Sequence, residues 1–146
     1  MPAFSRCLFV LSSLFVLACA IAPVRENPET PLEGTRWRLA RLEGKSVPRS
    51  HAPAHLSLQA GRLTGSGGCN RLMGSYKRDG ARLEFSVPAA TLMACVGETG
   101  QREEAFVRRI PQVRSWAIEG QTLRLGDAEG KIILEMEAES LPPSMP

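Results

Sequence analysis

"WAIEGQTLRLGDAEGKIILEM", residues Trp116 to Met136, decides the fold. Trp116 and Ile118, then Leu123 and Leu125, then Ile132, Leu134 and Met136 sit two apart. That period places alternate side chains on one face of a strand. Glu119-Gly120 and Asp127-Ala-Glu-Gly130 stand between the runs, turn signals short enough to join neighbouring antiparallel strands.

Outward from this meander the alternation repeats. Trp37 with Leu39, Leu56 with Leu58, and Leu83 with Phe85 show the same spacing, punctuated by Gln59-Ala-Gly61 and Asp79-Gly80. The expected fold is mostly β (α+β): a single small antiparallel, barrel-like sheet of about seven or eight strands. One stretch breaks the period. From Thr99 the chain runs to Ile110 with acidic residues early, basic residues late, and Phe106 and Ile110 four apart, which predicts one amphipathic helix packed on the sheet. Pro111 should end it, because proline disfavours helical geometry in the residue before it. Phe106, Ile110 and Val113 then read as core.

The ends of the chain have a different composition. Arg6 precedes an apolar run from Cys7 to Leu17, followed by small residues, the pattern of a secretory signal. The run is shorter than the roughly 20 residues a spanning helix needs, and Pro23, Arg25 and Glu26 follow it. Val16-Leu17-Ala18-Cys19 resembles the bacterial lipobox, which predicts cleavage after residue 18 and lipidation of Cys19; Ala18-x-Ala20 is the rival, an ordinary cleavage site releasing a soluble protein. Ala20 after the cysteine, rather than aspartate, implies the outer membrane. Residues 19–31, with Pro23, Pro28 and Pro31 among charges, read as an extended tether, residues 32–138 as one domain, and residues 139–146 as a flexible tail.

Cysteine usage follows from that address. Either cleavage leaves Cys69 and Cys95 as the two cysteines of the folded part, and an exported domain with two thiols in an oxidising compartment is expected to join them. The bridge would close a loop of about 25 residues and contribute roughly 3 to 4 kcal/mol in the chain-entropy model. A nucleophilic thiol would need a base, and the two histidines of the chain are His51 and His55. Their spacing would suit two metal ligands on a helix, but Pro53 between them argues for a loop, so no metal is expected. The carboxylate pair Glu103 and Glu104 would point apart on a helix, and Glu135, Glu137 and Glu139 fit the solvated face of a last strand. No catalytic residue and no cofactor are expected. With 18 Lys and Arg against 15 Asp and Glu, scattered along the chain, nucleic acid is not an expected partner.

One motif remains. Gly65-Ser-Gly-Gly-Cys-Asn-Arg-Leu-Met-Gly-Ser-Tyr76 puts Gly67 and Gly68 before Cys69 and Asn70, with Gly74 beyond. These glycines allow the close approach and positive φ of a sharp corner, and Asn70 can pin that corner by bonding nearby backbone. The run lacks the Gly-Lys-Ser/Thr ending and the following helix of a phosphate loop.

Leu32-x-Gly34-Thr35-x-Trp37-x-Leu39, then Gly67-Gly68-Cys69-Asn70-Arg71-x-x-Gly74-x-Tyr76, then Thr91-x-Met93-Ala94-Cys95 together resemble the META domain of HslJ-like bacterial proteins. Glu104-x-Phe106, Trp116-x-Ile118-x-Gly120-x-x-Leu123-x-Leu125 and Asp127-x-x-Gly130 are similar to the rest of that pattern. The resemblance implies a compact, mostly β fold with one helix, found in envelope or secreted proteins linked to heat shock, motility or novobiocin resistance, with no established catalytic residues. Pro111 departs from it, where many relatives continue the helix.

The expected function is that of a non-enzymatic, monomeric lipoprotein of the cell envelope, facing the periplasm and binding another envelope protein or a cell-wall component in stress tolerance. Its membrane contact is the N-terminal lipid. A binding surface is expected near the glycine corner, from Arg71, Tyr76 and the loop from Cys95 to Gln101; the alternative is that Tyr76 is core and Arg71 a solvated charge. A small secreted inhibitor of a lysozyme or protease is the alternative, acting through Lys45 to Ala54 or Val96 to Gln101; a thiol or metal enzyme is the second.

Overall fold

The computed structural model describes residues 30–139. The leader, the lipidation residue Cys19, the tether up to residue 29 and the tail from residue 140 lie outside the described residues.

Ten strands and one α-helix follow in order: β1 Arg36–Leu42, β2 Lys45–Ser46, β3 His55–Gln59, β4 Arg62–Ser66, β5 Arg71–Asp79, β6 Arg82–Phe85, β7 Ala89–Ala90, α1 Gly97–Arg109, a 3-10 turn Ile110–Gln112, β8 Ser115–Glu119, β9 Thr122–Gly126 and β10 Ile132–Glu139. Every pairing is antiparallel. Eight strands form a ring in the order β1-β3-β4-β5-β6-β8-β9-β10, closed by pairing of β10 with β1. The two-residue strands β2 and β7 are appended to β1 and β5. The mostly β sheet with a helix packed on it is therefore as the alternation predicts.

The ring is not uniform. Between β6 and β8 a single residue pair, Arg82 and Ser115, is in register, joined by backbone bonds from Leu83 N to Arg114 O and from Trp116 N to Ala81 O, both 3.1 Å. Closure depends on the other seams, where β10 pairs along most of β1.

Period-two patterning produces the core. Trp37, Leu58, Leu63, Leu72, Leu83, Leu125 and Leu134 point inward from seven strands, each no more than 2 % exposed. Trp37 keeps a polar outlet, its Nε1 donating to Leu32 O at 2.9 Å. Phe106, Ile110 and Val113 cover the apolar interior from the helical segment, all fully buried. Burying one such side chain contributes roughly 1.5 to 3 kcal/mol, so this stripe fixes where α1 lies.

Two expectations shift. Ile132 does not share a face with Leu134 and Met136, because a bulge between Ile132 and Leu134 turns Ile133 inward and leaves Ile132 exposed. The helix begins at Gly97 and not at Thr99, with Val96 in the capping position making no side-chain bond. The α-helix does stop before Pro111, which is accommodated early in the 3-10 turn where a missing N–H is not needed.

Candidate functional site

The end of β4, the start of β5 and the N-terminal half of α1 meet at one corner. Its floor is Glu103, 8 % exposed although charged, and on the same stripe as Phe106 and Ile110. One carboxylate oxygen, Oε2, accepts the backbone N–H groups of Cys69 at 3.0 Å and Asn70 at 2.7 Å. The other, Oε1, accepts Asn70 Nδ2 at 2.6 Å. Burial pushes the Glu103 carboxyl up, but the Asn70 amide and the two backbone donors outweigh it and hold its pKa below the usual carboxylate range.

Asn70 faces two ways. While its Nδ2 donates to Glu103, its Oδ1 accepts the Met93 N–H at 2.8 Å and the Thr91 hydroxyl at 2.7 Å. These opposite demands fix which end of the amide is oxygen. Cys69 and Cys95 are joined, with Cα atoms 6.2 Å apart, so a covalent bond and the Asn70 amide tie the same two segments together.

The glycines follow from this crowding. A Cβ on Gly67 would lie 2.3 Å from Glu103 Cγ, and Gly68 has φ +111°, a conformation other residues rarely adopt. Gly74 sits under the segment after β6, where a Cβ would meet Ser86 Oγ at 3.0 Å.

Above this floor runs Ser86 to Val96, which contains no charged residue. It is pinned by β7 against Leu72 and Met73, by the Thr91 N–H on Arg71 O at 3.1 Å, by Asn70 and by the bridge. Yet its apolar side chains face out: Leu92 is 100 % exposed, Val96 85 %, Val87 77 % and Met93 63 %, with Met73 of β5 at 61 % beside them. Among the described residues, the one other exposed large apolar side chain is Ile132, at 38 %.

The remaining site residues divide. Arg71 is exposed and adjoins Thr91 through backbone and side-chain bonds. Tyr76 is not on that surface: five residues along a strand reverses the face, so Tyr76 points into the core, 6 % exposed, against Phe85. Its hydroxyl donates to Glu33; burial first and that bond second raise its pKa. Val96 to Gln101, read as a loop, is mostly the opening turn of α1. His51 lies in an exposed loop and His55 opens β3, its Nδ1 3.2 Å from Arg36 and 3.1 Å from Pro53 O. Burial foremost, with Arg36 adding to it, lowers the His55 pKa against the opposing pull of the Pro53 carbonyl. Glu135, Glu137 and Glu139 pair with Arg124, Arg38 and Arg36.

Cys69, Cys95 and Glu103 bring three potential ligand atoms within 4.8 Å of one another. With the sulfurs bonded together there is no thiolate to attack a substrate or hold a metal. Glu103 is the residue that sequence reasoning misses, because the pair Glu103 and Glu104 is weighed there only for acid–base chemistry. Its signal was position: it falls three residues before Phe106, on the buried stripe.

These features define a class: a small, disulfide-stapled antiparallel ring with one covering helix and a fixed apolar loop. The META domain pattern matches residues 30–140, and the chain belongs to the META domain family. No curated protein matches it. Two solution structures share the fold. One, the NMR structure of a protein from Burkholderia xenovorans, superposes with a TM-score of 0.62 at 23 % identity, over 97 % of this chain and 100 % of that one. The other, also an NMR structure, gives 0.57 at 23 % identity, over 70 % of this chain and 87 % of that one.

Proposed function

We propose that this chain is a non-enzymatic lipoprotein of the bacterial cell envelope, anchored through Cys19 in the outer membrane, facing the periplasm, and acting in stress tolerance by binding. The observation that carries the reading is the loop from Val87 to Val96. A buried carboxylate, a buried amide and a disulfide hold it in one shape, yet that shape exposes Leu92 completely. Contiguous exposed apolar groups on a soluble domain mark interaction surfaces, and rigidity lowers the entropy cost of binding. The leader and lipobox supply the address, and the joined sulfurs argue against thiol chemistry.

The test is complementation under heat or envelope stress in a strain lacking the chain. Leu92→Asp is expected to remove tolerance with its melting temperature unchanged, and Cys19→Ala to remove it by mislocalisation. Full tolerance with Leu92→Asp at normal abundance would overturn the binding role of the loop.

A further inference from the structure

The occupant of this loop follows from its charge pattern and from where the tether joins the domain. We infer that the loop Val87–Val96, with Met73, is a wedge that enters the interfacial region of an anionic phospholipid bilayer. The inference rests on the envelope-lipoprotein reading for its membrane, and it names the partner of the same site.

Three observations carry it. First, the loop is exposed and charge-free, so lodging Val87, Leu92, Met93 and Val96 among acyl chains desolvates no ion. Second, the strands beside it carry more cations than acids. The outward positions of β5 from the loop are Arg71, Met73, Ser75, Lys77 and Asp79, and those of β4 are Arg62, Thr64 and Ser66: three cations and one acid, the acid at the end of β5 away from the loop, with Glu84 of β6 opposite Lys77. Glu98, in the first turn of α1, and Glu84, three residues before Val87 and paired with Arg82, are the acids near the loop in sequence. Cations flanking an apolar wedge suit lipid phosphates.

Third, the tether joins the domain close by. Thr30 and Arg36 line the same cleft. From Arg36 the paired residues Ser57, Thr64 and Met73 lead directly to the loop. Three strand spacings cover about 14 Å along the sheet. From Cys19 to Thr30 the chain reaches at most about 40 Å. A domain of this size has a radius of gyration of about 13 Å, so a lipid on Cys19 keeps the loop within reach of the bilayer and raises its effective concentration there.

The experiment uses the full chain, expressed with its own leader and purified from membranes. Intact mass reads acyl chains on Cys19, independently of the loop. The protein is then placed in vesicles of phosphatidylethanolamine and phosphatidylglycerol, with or without brominated acyl chains, and indole emission is compared for wild type, Leu92→Trp and Val87→Trp. Wild type supplies the background of Trp37 and Trp116. The expected result is emission shifted to shorter wavelength, and intensity lost to the brominated chains, for both variants.

If Cys19 is acylated and neither introduced indole is quenched, the wedge is overturned while the anchor stands. Quenching in protein without acyl chains supports the wedge and removes the anchor. A shift that appears without lipid and grows with protein concentration assigns the surface to a second copy of this chain and overturns the inference. A shift that appears without lipid only when another envelope protein is added does the same in favour of that protein.

Discussion

Asn70 and Glu103 form a two-point contact between the β4–β5 corner and α1: the Asn70 backbone N–H meets one carboxylate oxygen at 2.7 Å and its side-chain amide meets the other at 2.6 Å. Because Asn70 Oδ1 simultaneously holds Thr91 and Met93, the helix, the corner and the exposed loop form one bonded unit. Glu103→Gln replaces one accepting oxygen with an amide that can only donate, and it leaves a buried donor facing a donor. Hydrogen bonds to charged groups contribute roughly 1.5 to 3 kcal/mol each, so a loss of about 2 to 4 kcal/mol is expected in urea unfolding. Gly67→Ala should cost about 1 to 3 kcal/mol by crowding the same carboxylate. Near-wild-type stability of both variants would show that the corner is not held from below.

Acid should weaken the same unit. The Glu103 pKa is depressed in the folded state, so the unfolded chain takes up the proton first as pH falls. Stability from this group is fully present above the ordinary carboxylate range, near 4.3 for glutamate, and is lost as pH drops through the lower folded value. The stability difference between wild type and Glu103→Gln is therefore expected to stay constant from neutral pH down to that range, then shrink. A difference that grows in acid would reverse the assignment.

The bridge and the amide do overlapping work, which makes them separable by stability and by loop exchange. Replacing both cysteines, Cys69→Ala with Cys95→Ala, removes a constraint on a chain segment 26 residues apart. The chain-entropy cost is about 3.5 kcal/mol for a loop of this size. Amide exchange at Met93 should remain slow, because Asn70 Oδ1 still accepts its N–H. Asn70→Ala in the bridged protein should do the converse, freeing Met93 while Cys95 stays tethered. Equal exchange in both variants would refute the division of roles.

Strand order and the buried stripe of α1 were legible because both rest on local periodicity: Leu123 and Leu125 announce their face without reference to anything distant. The bridge was legible from the number of cysteines an exported domain retains. Ile132 was misplaced because a bulge inserts one residue, and no composition signal at Ile132-Ile133 distinguishes the two. Tyr76 has two readings in sequence, surface beside Arg71 or core, and the strand decides for the core: Leu72 and Tyr76 are four apart on β5 and share the inner face. Glu103 was the deepest omission. A charge on an apolar stripe becomes intelligible only when the N–H donors of Cys69 and Asn70, more than thirty positions away in sequence, are seen to meet it.

Tyr76 gives a clean test of the opposite edge of the core, since it is the single tyrosine of the chain. Burial and donation to Glu33 both favour its neutral form, so its folded pKa lies above that of an exposed tyrosine. For a group raised in this way the contribution to stability is complete below the unfolded value, about 10, and is lost as pH climbs through the folded one. Ultraviolet titration of wild type should show delayed ionisation, and Glu33→Gln should advance it, because the charged acceptor that opposes phenolate formation is gone. Tyr76→Phe keeps the ring against Phe85 and loses only the hydroxyl and its bond to a carboxylate, so a cost of about 1.5 to 3 kcal/mol is expected at neutral pH. Ionisation at the ordinary value in the folded protein would mean that Tyr76 is open to solvent, and would return it to the surface beside Arg71.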